Sequence, residues 1–379
     1  MKIMTVYGTR PEAIKVAPVL TALAAEPGLE SVPVVTGQHR EMLDQVNDLF
    51  GIVPKHDLNI LQPGQTLAAI TARIMDLLDP VLAEETPDAV IVQGDTTTST
   101  AAALAAFYRR IPVVHVEAGL RSGDISSPFP EEANRRLTSQ ITALHLAPTA
   151  GSKANLLREG VDPSTIVVTG NTVIDALLAT AAQPVPLADP QLVALVESKA
   201  PILLVTSHRR ESWGAAMEGV GRALARIAAA HPELTIVLPV HRNPVVREAL
   251  LPLLGELKNV VITEPLSYAE FATLLASAHI VLTDSGGIQE EAPSLGKPVL
   301  VMRENTERPE AVEAGTVRLI GTDEDRVVKE VERLYLDPAA YTAMARAVNP
   351  YGDGHATERS VAAVKALFGL GTRLLDFNG

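Results

Sequence analysis

Along the chain, short apolar runs alternate with longer segments rich in Ala and Leu. The runs IMTV (3–6), VPVVT (32–36), DAVIVQ (88–93), PVVHV (112–116), LHLA (144–147) and TIVVTG (165–170) are nearly apolar throughout. Between them lie helical patterns: a segment opening at Pro11, then EMLDQVNDLF, TSTAAALAAFYRR, PEEANRRL and AGSKANLLREG. Pro11 suits the first turn of a helix, where its missing N–H costs nothing. Strands apolar on both faces and separated by helices predict a parallel sheet covered on both sides. Residues 181–200 carry three prolines and no clear strand, and the pattern then restarts. PILLVTS (201–207), LTIVLPV, NVVIT, HIVLTDS, KPVLVM and TVRLI form the second series. The expected fold class is α/β, with two doubly wound Rossmann-like domains facing an interdomain cleft. The first would span residues 1–169, completed by the C-terminal helix within 357–379, and the second residues 170–356.

In open parallel sheets, ligands bind beyond the carboxyl ends of the strands. The residues there are Gly8-Thr9-Arg10, Gly37-Gln38-His39-Arg40, Gly94-Asp95-Thr96 and Glu117-Ala118-Gly119 in the first half. In the second they are Ser207-His208-Arg209-Arg210, His241-Arg242-Asn243 and Asp284-Ser285-Gly286-Gly287. These rims are polar, small or basic.

Composition narrows the choice of ligand. A length of 379 residues, 47% hydrophobic and 20% charged, fits two globular domains. A net charge of −13 disfavours nucleic acid, whose phosphates need a basic face. A small anionic ligand needs only a local cluster of Arg, Lys and helix N-termini and remains compatible. Without cysteine there are no disulfides, thiolate nucleophiles or Cys-bound metals, and the nine histidines lack paired metal spacing. No GxGxxG follows a strand and no Walker A sequence occurs, so no cofactor is expected. TDSGG lacks the glycine of a nucleophile elbow, having Thr283 there. The start MKIMTVYGTRPEA does not read as a signal peptide, and no window of about 18 apolar residues predicts a membrane span. A cytoplasmic location is the expectation.

VLTDSGGIQEEAPSLGKPVLV (281–301) combines a strand end, two glycines and a helix start, a ready site for a diphosphate. Glu290 or Glu291, one turn inside, could accept ribose hydroxyls; two solvated glutamates are the plain structural alternative. VTSHRRES (205–212) and MRENTERPE (302–310) place His208, Arg209, Arg210, Arg303 and Arg308 after strands. They could neutralise phosphate or pair with neighbouring glutamates. Lys15 could be an ordinary surface lysine, whereas Arg10 fits that description less well in its Gly-Thr-Arg-Pro loop.

HVEAGLRSGDISSPFPEEANRRL (115–137) gathers carboxylates beside arginines. Glu131→Arg135 and Glu132→Arg136 have i,i+4 spacing, each worth about 0.2–0.5 kcal/mol as a surface pair. That accounts neither for Glu117, which ends an apolar strand, nor for Asp95, which as a helix N-cap would be ordinary.

Taken in order, these segments resemble the non-hydrolysing UDP-N-acetylglucosamine 2-epimerases. The matching stretches are GTRPEAIKVAPV, TGQHREMLDQ, QGDTTT, HVEAGLRS, PFPEEANRR, TGNTVIDAL, HRRES, TDSGGIQEEAPSLGKPVLVMRENTERPE and NPYGDGHA, spanning residues 8–356. The resemblance implies a glycosyltransferase-B-like fold with its site in the interdomain cleft. It implies reversible conversion of UDP-N-acetylglucosamine to UDP-N-acetylmannosamine for surface-polysaccharide synthesis, without nicotinamide and with a homodimer as the family expectation. The implied route is anti elimination of UDP to 2-acetamidoglucal, then re-addition. By this resemblance Asp95, Glu117 and Glu131 are the carboxylates around the sugar, and His208 joins the catalytic set beside the diphosphate. Arg10, Ser285, Gly286 and Gly287 meet the diphosphate, and Glu291 the ribose. Lys15, Arg308, Leu266 and Phe271 complete the substrate-binding set. Bacterial members also bind a second UDP-N-acetylglucosamine as an activator; Gln38, His39, Arg40, Arg210 and His241 match that region, while Glu41 and Gly64 depart from it. The competing expectations are a hydrolysing epimerase, a glycosyltransferase on the same fold and a silent UDP-sugar sensor.

Overall fold

The computed structural model describes residues 1–379 apart from 39 and 208–212, and Glu41 by its backbone alone. The described residues divide into two compact units: Met1–Ala176 with Tyr351–Gly379, and Leu177–Pro350. Each is built on one parallel sheet.

In the first unit the strands are β1 (Lys2–Tyr7), β2 (Glu30–Val35), β3 (His56–Asp57), β4 (Ala89–Gln93), β5 (Val113–Val116), β6 (Leu144–Ala147) and β7 (Ile166–Val168). Their order across the sheet is β3-β2-β1-β4-β5-β6-β7, with every pair parallel. In the second they are β8 (Ile202–Thr206), β9 (Thr235–Pro239), β10 (Val260–Thr263), β11 (Ile280–Thr283), β12 (Val299–Val301) and β13 (Val317–Leu319). Their order is β10-β9-β8-β11-β12-β13, again parallel. Both sheets are therefore doubly wound, and the order reverses between β1 and β4 and between β8 and β11. Connections diverge to opposite faces at such a point and leave a crevice at the strand ends.

Alternation along the strands feeds two layers of core. Met4, Val6, Val90 and Val92 face Ile74, Leu78 and Leu82 of the helix Leu67–Glu85. Ile3, Ile91, Val114 and Val116 face the other way, onto Val19 and Leu23 and onto Val361 and Val364 of the C-terminal helix Ala356–Leu367. Fully burying such a side chain is worth about 1.5–3 kcal/mol. Strand β3 was not anticipated: a two-residue His-Asp edge strand has no apolar period to read. The proline-rich stretch 181–200 holds the helix Pro190–Ser198, with Pro190 in its first turn and Asp189 as its cap.

The sequence reading placed the domain boundary at 169/170. Here the chain stays with the first unit a little longer, because Thr172 Oγ1 donates to the Lys15 carbonyl (2.6 Å). It returns by residue 351, where the Tyr351 carbonyl accepts from the Asn171 N–H (2.7 Å). The C-terminal helix starts after His355, which offers no side-chain cap. Asp175 supplies one from far away in sequence, accepting from the N–H groups of Thr357 (2.7 Å) and Ala356 (3.3 Å). Beyond that helix, Phe377 N–H donates to the Val168 carbonyl (2.8 Å), and Asp376 accepts from Val168 N–H (3.2 Å). This tail covers the open edge of β7.

At the opposite end of the strands from the crevice, buried Glu85 gathers Lys2 (2.9 Å), Lys55 (2.9 Å) and His56 (2.6 Å). The His56 hydrogen bond, with help from both lysines, holds its carboxyl at about 2 instead of the ordinary 4.5. A carboxyl depressed in the folded state stabilises at pH above its unfolded value and loses that effect as pH falls through its folded value. Urea unfolding at a series of pH values should therefore show wild type losing stability between pH 4.5 and about 2 more steeply than Glu85→Gln.

Candidate active site

The crevice of the first unit is framed by the turns after β1 and β4. Gly8 follows β1 and lies so close to the turn after β2 that a Cβ would stand 2.0 Å from Thr36 Oγ1 and 2.7 Å from Thr98 Oγ1. Glycine is the residue that permits this approach. Glu12 then closes a capping box with Thr9: its Oε2 accepts from the N–H of Gly8 (3.0 Å) and Thr9 (2.8 Å). Its Oε1 accepts from Thr96 Oγ1 (2.6 Å), so one buried carboxylate ties both turns together. Burial pushes the Glu12 carboxyl up, against the hydrogen bonds from Thr96, Gly8 and Thr9. The T-x-x-E spacing was visible in the sequence; its span to Thr96 was not. Arg10 stands exposed in the first turn of the helix Arg10–Ala25, with no ion pair or hydrogen bond among the described residues.

Asp95 is not the N-cap that the plain reading made it. Thr96 caps the helix Thr97–Tyr108, accepting from Ser99 N–H (3.1 Å). The Asp95 carboxylate pairs instead with Arg135 (2.5 Å), and its carbonyl accepts from Asn134 Nδ2 (2.8 Å). Both partners lie on the helix Glu131–Ile141. Glu131, three and four residues earlier, shares their helix face. The expected Glu131–Arg135 pair does not form, and among the described residues Glu131 has no ion pair or hydrogen bond. Arg135 pairs with Asp95 and also with fully buried Glu132 (3.3 Å), which engages Arg136 at 3.1 Å. Glu132 also accepts from Ser122 N–H (3.0 Å), which fixes the loop before the helix.

Glu117 sits one residue past β5 with its backbone in the left-handed region, φ +64°. For a residue with a Cβ this costs about 1–3 kcal/mol and persists only where surroundings enforce it. Gly119, at φ +92°, completes the turn; a Cβ there would meet the Ser152 carbonyl oxygen at 2.3 Å. Glu117 is buried, its side chain 6% exposed. Lys15 Nζ reaches its Oε2 at 2.5 Å, and Gln93 Nε2 donates to the same oxygen. Lys15 is thus no ordinary surface lysine. His115 lies beneath, fully buried, and its Nε2 donates to the Gly94 carbonyl (2.7 Å). Burial pushes its imidazole down to about 4, so the ring is neutral.

In the second unit Ser285 caps the six-residue helix Gly286–Glu291 by its backbone, and its side chain makes no cap hydrogen bond. Buried Asp284 accepts from Ser207 Oγ (3.1 Å), linking the ends of β8 and β11. The glutamate pair splits. Glu290 is buried and bound to Arg308, whereas the Glu291 Oε1 approaches the N-terminal turn, 3.4 Å from where a Gly287 Cβ would be. Arg308 is thereby engaged by a carboxylate, and Arg303 pairs with Glu307 (2.7 Å). Gln289 holds the following loop by accepting from Thr306 Oγ1 (2.7 Å). Leu266 and Phe271 are half-buried at and near the helix Tyr268–Ser277. Of the residues matched to an activator region, Gln38 accepts from Thr98 Oγ1 (3.1 Å), and Arg40 pairs with Asp57 and Asp44. His241 accepts at Nδ1 from Asn243 N–H (3.1 Å). His39, His208 and Arg210 lie outside the described residues.

The sequence profile described as UDP-N-acetylglucosamine 2-epimerase matches residues 21–365. The chain belongs to the UDP-N-acetylglucosamine 2-epimerase family. The Escherichia coli K12 protein of that name is 58% identical over 371 residues, covering 96% of this chain and 98% of its own. A Neisseria meningitidis 2-epimerase solved with UDP-GlcNAc bound has a TM-score of 0.85 at 47% identity, covering 97% of this chain and all of its own. S. aureus MnaA, solved with UDP, has a TM-score of 0.87 at 46% identity over the full length of both chains. The two-sheet architecture of this family is glycosyltransferase-B-like. Among the described residues no cluster of His, Asp and Glu could hold a metal ion, and no helix is long and apolar enough to cross a membrane.

The sequence reasoning missed Glu12, Gln93, Glu132, Asn134 and Arg135 as organisers. Gln93 carried the same signal as Glu117, a polar residue closing an apolar strand. In urea unfolding, Glu132→Ala should cost about 1–3 kcal/mol, because the Ser122 N–H and the arginines lose a buried acceptor while Arg135 keeps Asp95. Glu131→Ala, which removes no partner, should stay within about 0.5 kcal/mol of wild type.

Proposed function

We propose that this chain interconverts UDP-N-acetylglucosamine and UDP-N-acetylmannosamine by the non-hydrolysing route, supplying surface-polysaccharide synthesis. Family membership supports the substrate. The observation that carries the mechanism is the rim of the first unit, where Glu117 and Asp95 follow adjacent strand ends and Glu131 shares a helix face with the residues that bind Asp95.

The C2 proton of the sugar has no carbonyl beside it to take the charge. Departure of UDP from C1 must therefore build positive character in the ring, as in glycoside cleavage. A base removes the C2 proton as the C1–O bond breaks, giving 2-acetamidoglucal and UDP. An acid then delivers a proton to the opposite face of C2 as UDP adds back. Carboxylates on both sides of the ring meet that need. Glu117, Asp95 and Glu131 are the proton carriers in this reading, with His208 beside the leaving group.

The leaving diphosphate needs preorganised positive charge and N–H groups. Arg10, exposed and unpaired among the described residues, supplies the first-unit cation. In this reading the backbone of residues 285–287 supplies N–H groups and Glu291, whose Oε1 lies near Gly287, accepts the ribose hydroxyls. Lys15 acts through Glu117, and Arg308 acts through Glu290, which it orders.

In heavy water, NMR should show deuterium entering C2 of both recovered sugar nucleotides. Epimerisation without exchange would sink the elimination route, and free N-acetylmannosamine would assign a hydrolysing enzyme. Glu117→Gln should lower turnover by about 100-fold or more while UDP affinity, measured by calorimetry, stays close to wild type. Wild-type turnover in that variant would remove Glu117 from the proton path.

A further inference from the structure

We propose that Gln93 is a positioning residue: its side-chain amide orients the Glu117 carboxylate and keeps it ionised. The inference rests on the reading of Glu117 as a proton carrier.

Strand β4 is buried at every position, and Gln93, its last residue, is 3% exposed. An amide so deep must find partners for its polar atoms. Sheet register sets Gln93 opposite Val116, so Glu117 lies one residue beyond on the neighbouring strand. In an extended conformation successive side chains point to opposite faces of a sheet. The left-handed turn at Glu117 breaks that alternation, and its carboxylate reaches the Gln93 amide. The contact is thus one of the surroundings that hold this left-handed backbone, with Lys15 and the tight turn at Gly119.

Two donors converge on Oε2: the Gln93 amide and the Lys15 ammonium (2.5 Å). They do different work. Lys15 supplies charge from a long flexible side chain, 18% exposed, rooted in a different layer. Gln93 supplies an N–H that never titrates, from within the sheet beside Glu117. A hydrogen bond donated to a carboxylate favours its charged form. Among the described residues, the titratable and charged groups around Glu117 include Lys15 from the helix Arg10–Ala25, neutral His115 on its own strand, and Asp95 two residues beyond Gln93 with its partner Arg135. Arg121, in the loop beyond β5, pairs with Glu159. Lys15 and Gln93 both donate to Oε2. A base that must repeatedly accept and release one proton needs a fixed orientation, and a misplacement of about 1 Å can cost about 100-fold in rate.

The test is Gln93→Met, which keeps the length of the side chain and removes the donor. With UDP-N-acetylglucosamine, kcat should fall by about 10- to 100-fold while KM moves less than about threefold. The acid limb of the kcat/KM profile should shift to higher pH. An unchanged kcat and acid limb, or a rise in KM alone, would overturn the proposal and leave Gln93 as packing. The contact is also read without catalysis, by carbon-13 NMR of labelled glutamate with the Glu117 signal assigned through Glu117→Gln. Its titration should move to higher pH in Gln93→Met; an unmoved titration overturns the proposal even if the enzyme is active. A wild-type chain without epimerase activity would sink the functional reading, while the NMR titration would still decide the contact. If Gln93→Met fails to fold by circular dichroism, Gln93→Asn keeps the amide but withdraws it by about 1.5 Å, with the same expectations.

Discussion

Burying a carboxylate at the end of an apolar strand is tolerable only when donors meet it. Glu117 imposes that requirement on the first unit. Lys15 must come from the opening turns of one helix, and Gln93 from the neighbouring strand. The helix in turn needs its start fixed, which Glu12 does by binding the turn after β1 and Thr96, the cap of the helix Thr97–Tyr108. Thr172 then fastens the far end of the unit to the Lys15 carbonyl. Remove the carboxylate from its place and these contacts lose a common focus.

A second device positions Asp95 and Glu131. Glu132 is buried and binds Arg136, Arg135 and the Ser122 backbone. Arg135 is left able to reach Asp95, and Asn134 takes the carbonyl beside it. Of the two adjacent glutamates, Glu132 is buried and paired, whereas Glu131, on the helix face of Asn134 and Arg135, has no ion pair or hydrogen bond among the described residues. In the second unit the same division recurs: Glu290 is buried against Arg308 while Glu291 turns to the glycine turn. In both places a buried glutamate with arginine partners orders the backbone from which a second glutamate projects.

Much of this was legible in the chain. Apolar runs separated by helices specify two parallel sheets, because only helix-covered strands can be apolar on both faces. Glu117 stood out because nothing bland explained a carboxylate there. The reach of Asp95 was hidden, since a carboxylate before a helix reads as a cap and only the fold shows Thr96 taking that role. Arg135 was assigned to Glu131 by spacing, which counts residues but not burial. Strand β3 was invisible because its two residues lie at a sheet edge and share no core period. Gln93 could have been noticed, as an amide that closes a wholly buried strand.

The first unit is assembled from both ends of the chain, with the second unit inserted between. During synthesis, one face of the first sheet, with Ile3, Ile91 and Val114, is made long before Val361 and Val364 arrive to cover it. The helix that carries them is held by Asp175, which is made on the near side of the insertion. The inserted unit has time to fold while that apolar face still waits. Growth from one end of the chain thus makes the first unit the last to be finished, and leaves its uncovered face exposed to wrong partners in the interval.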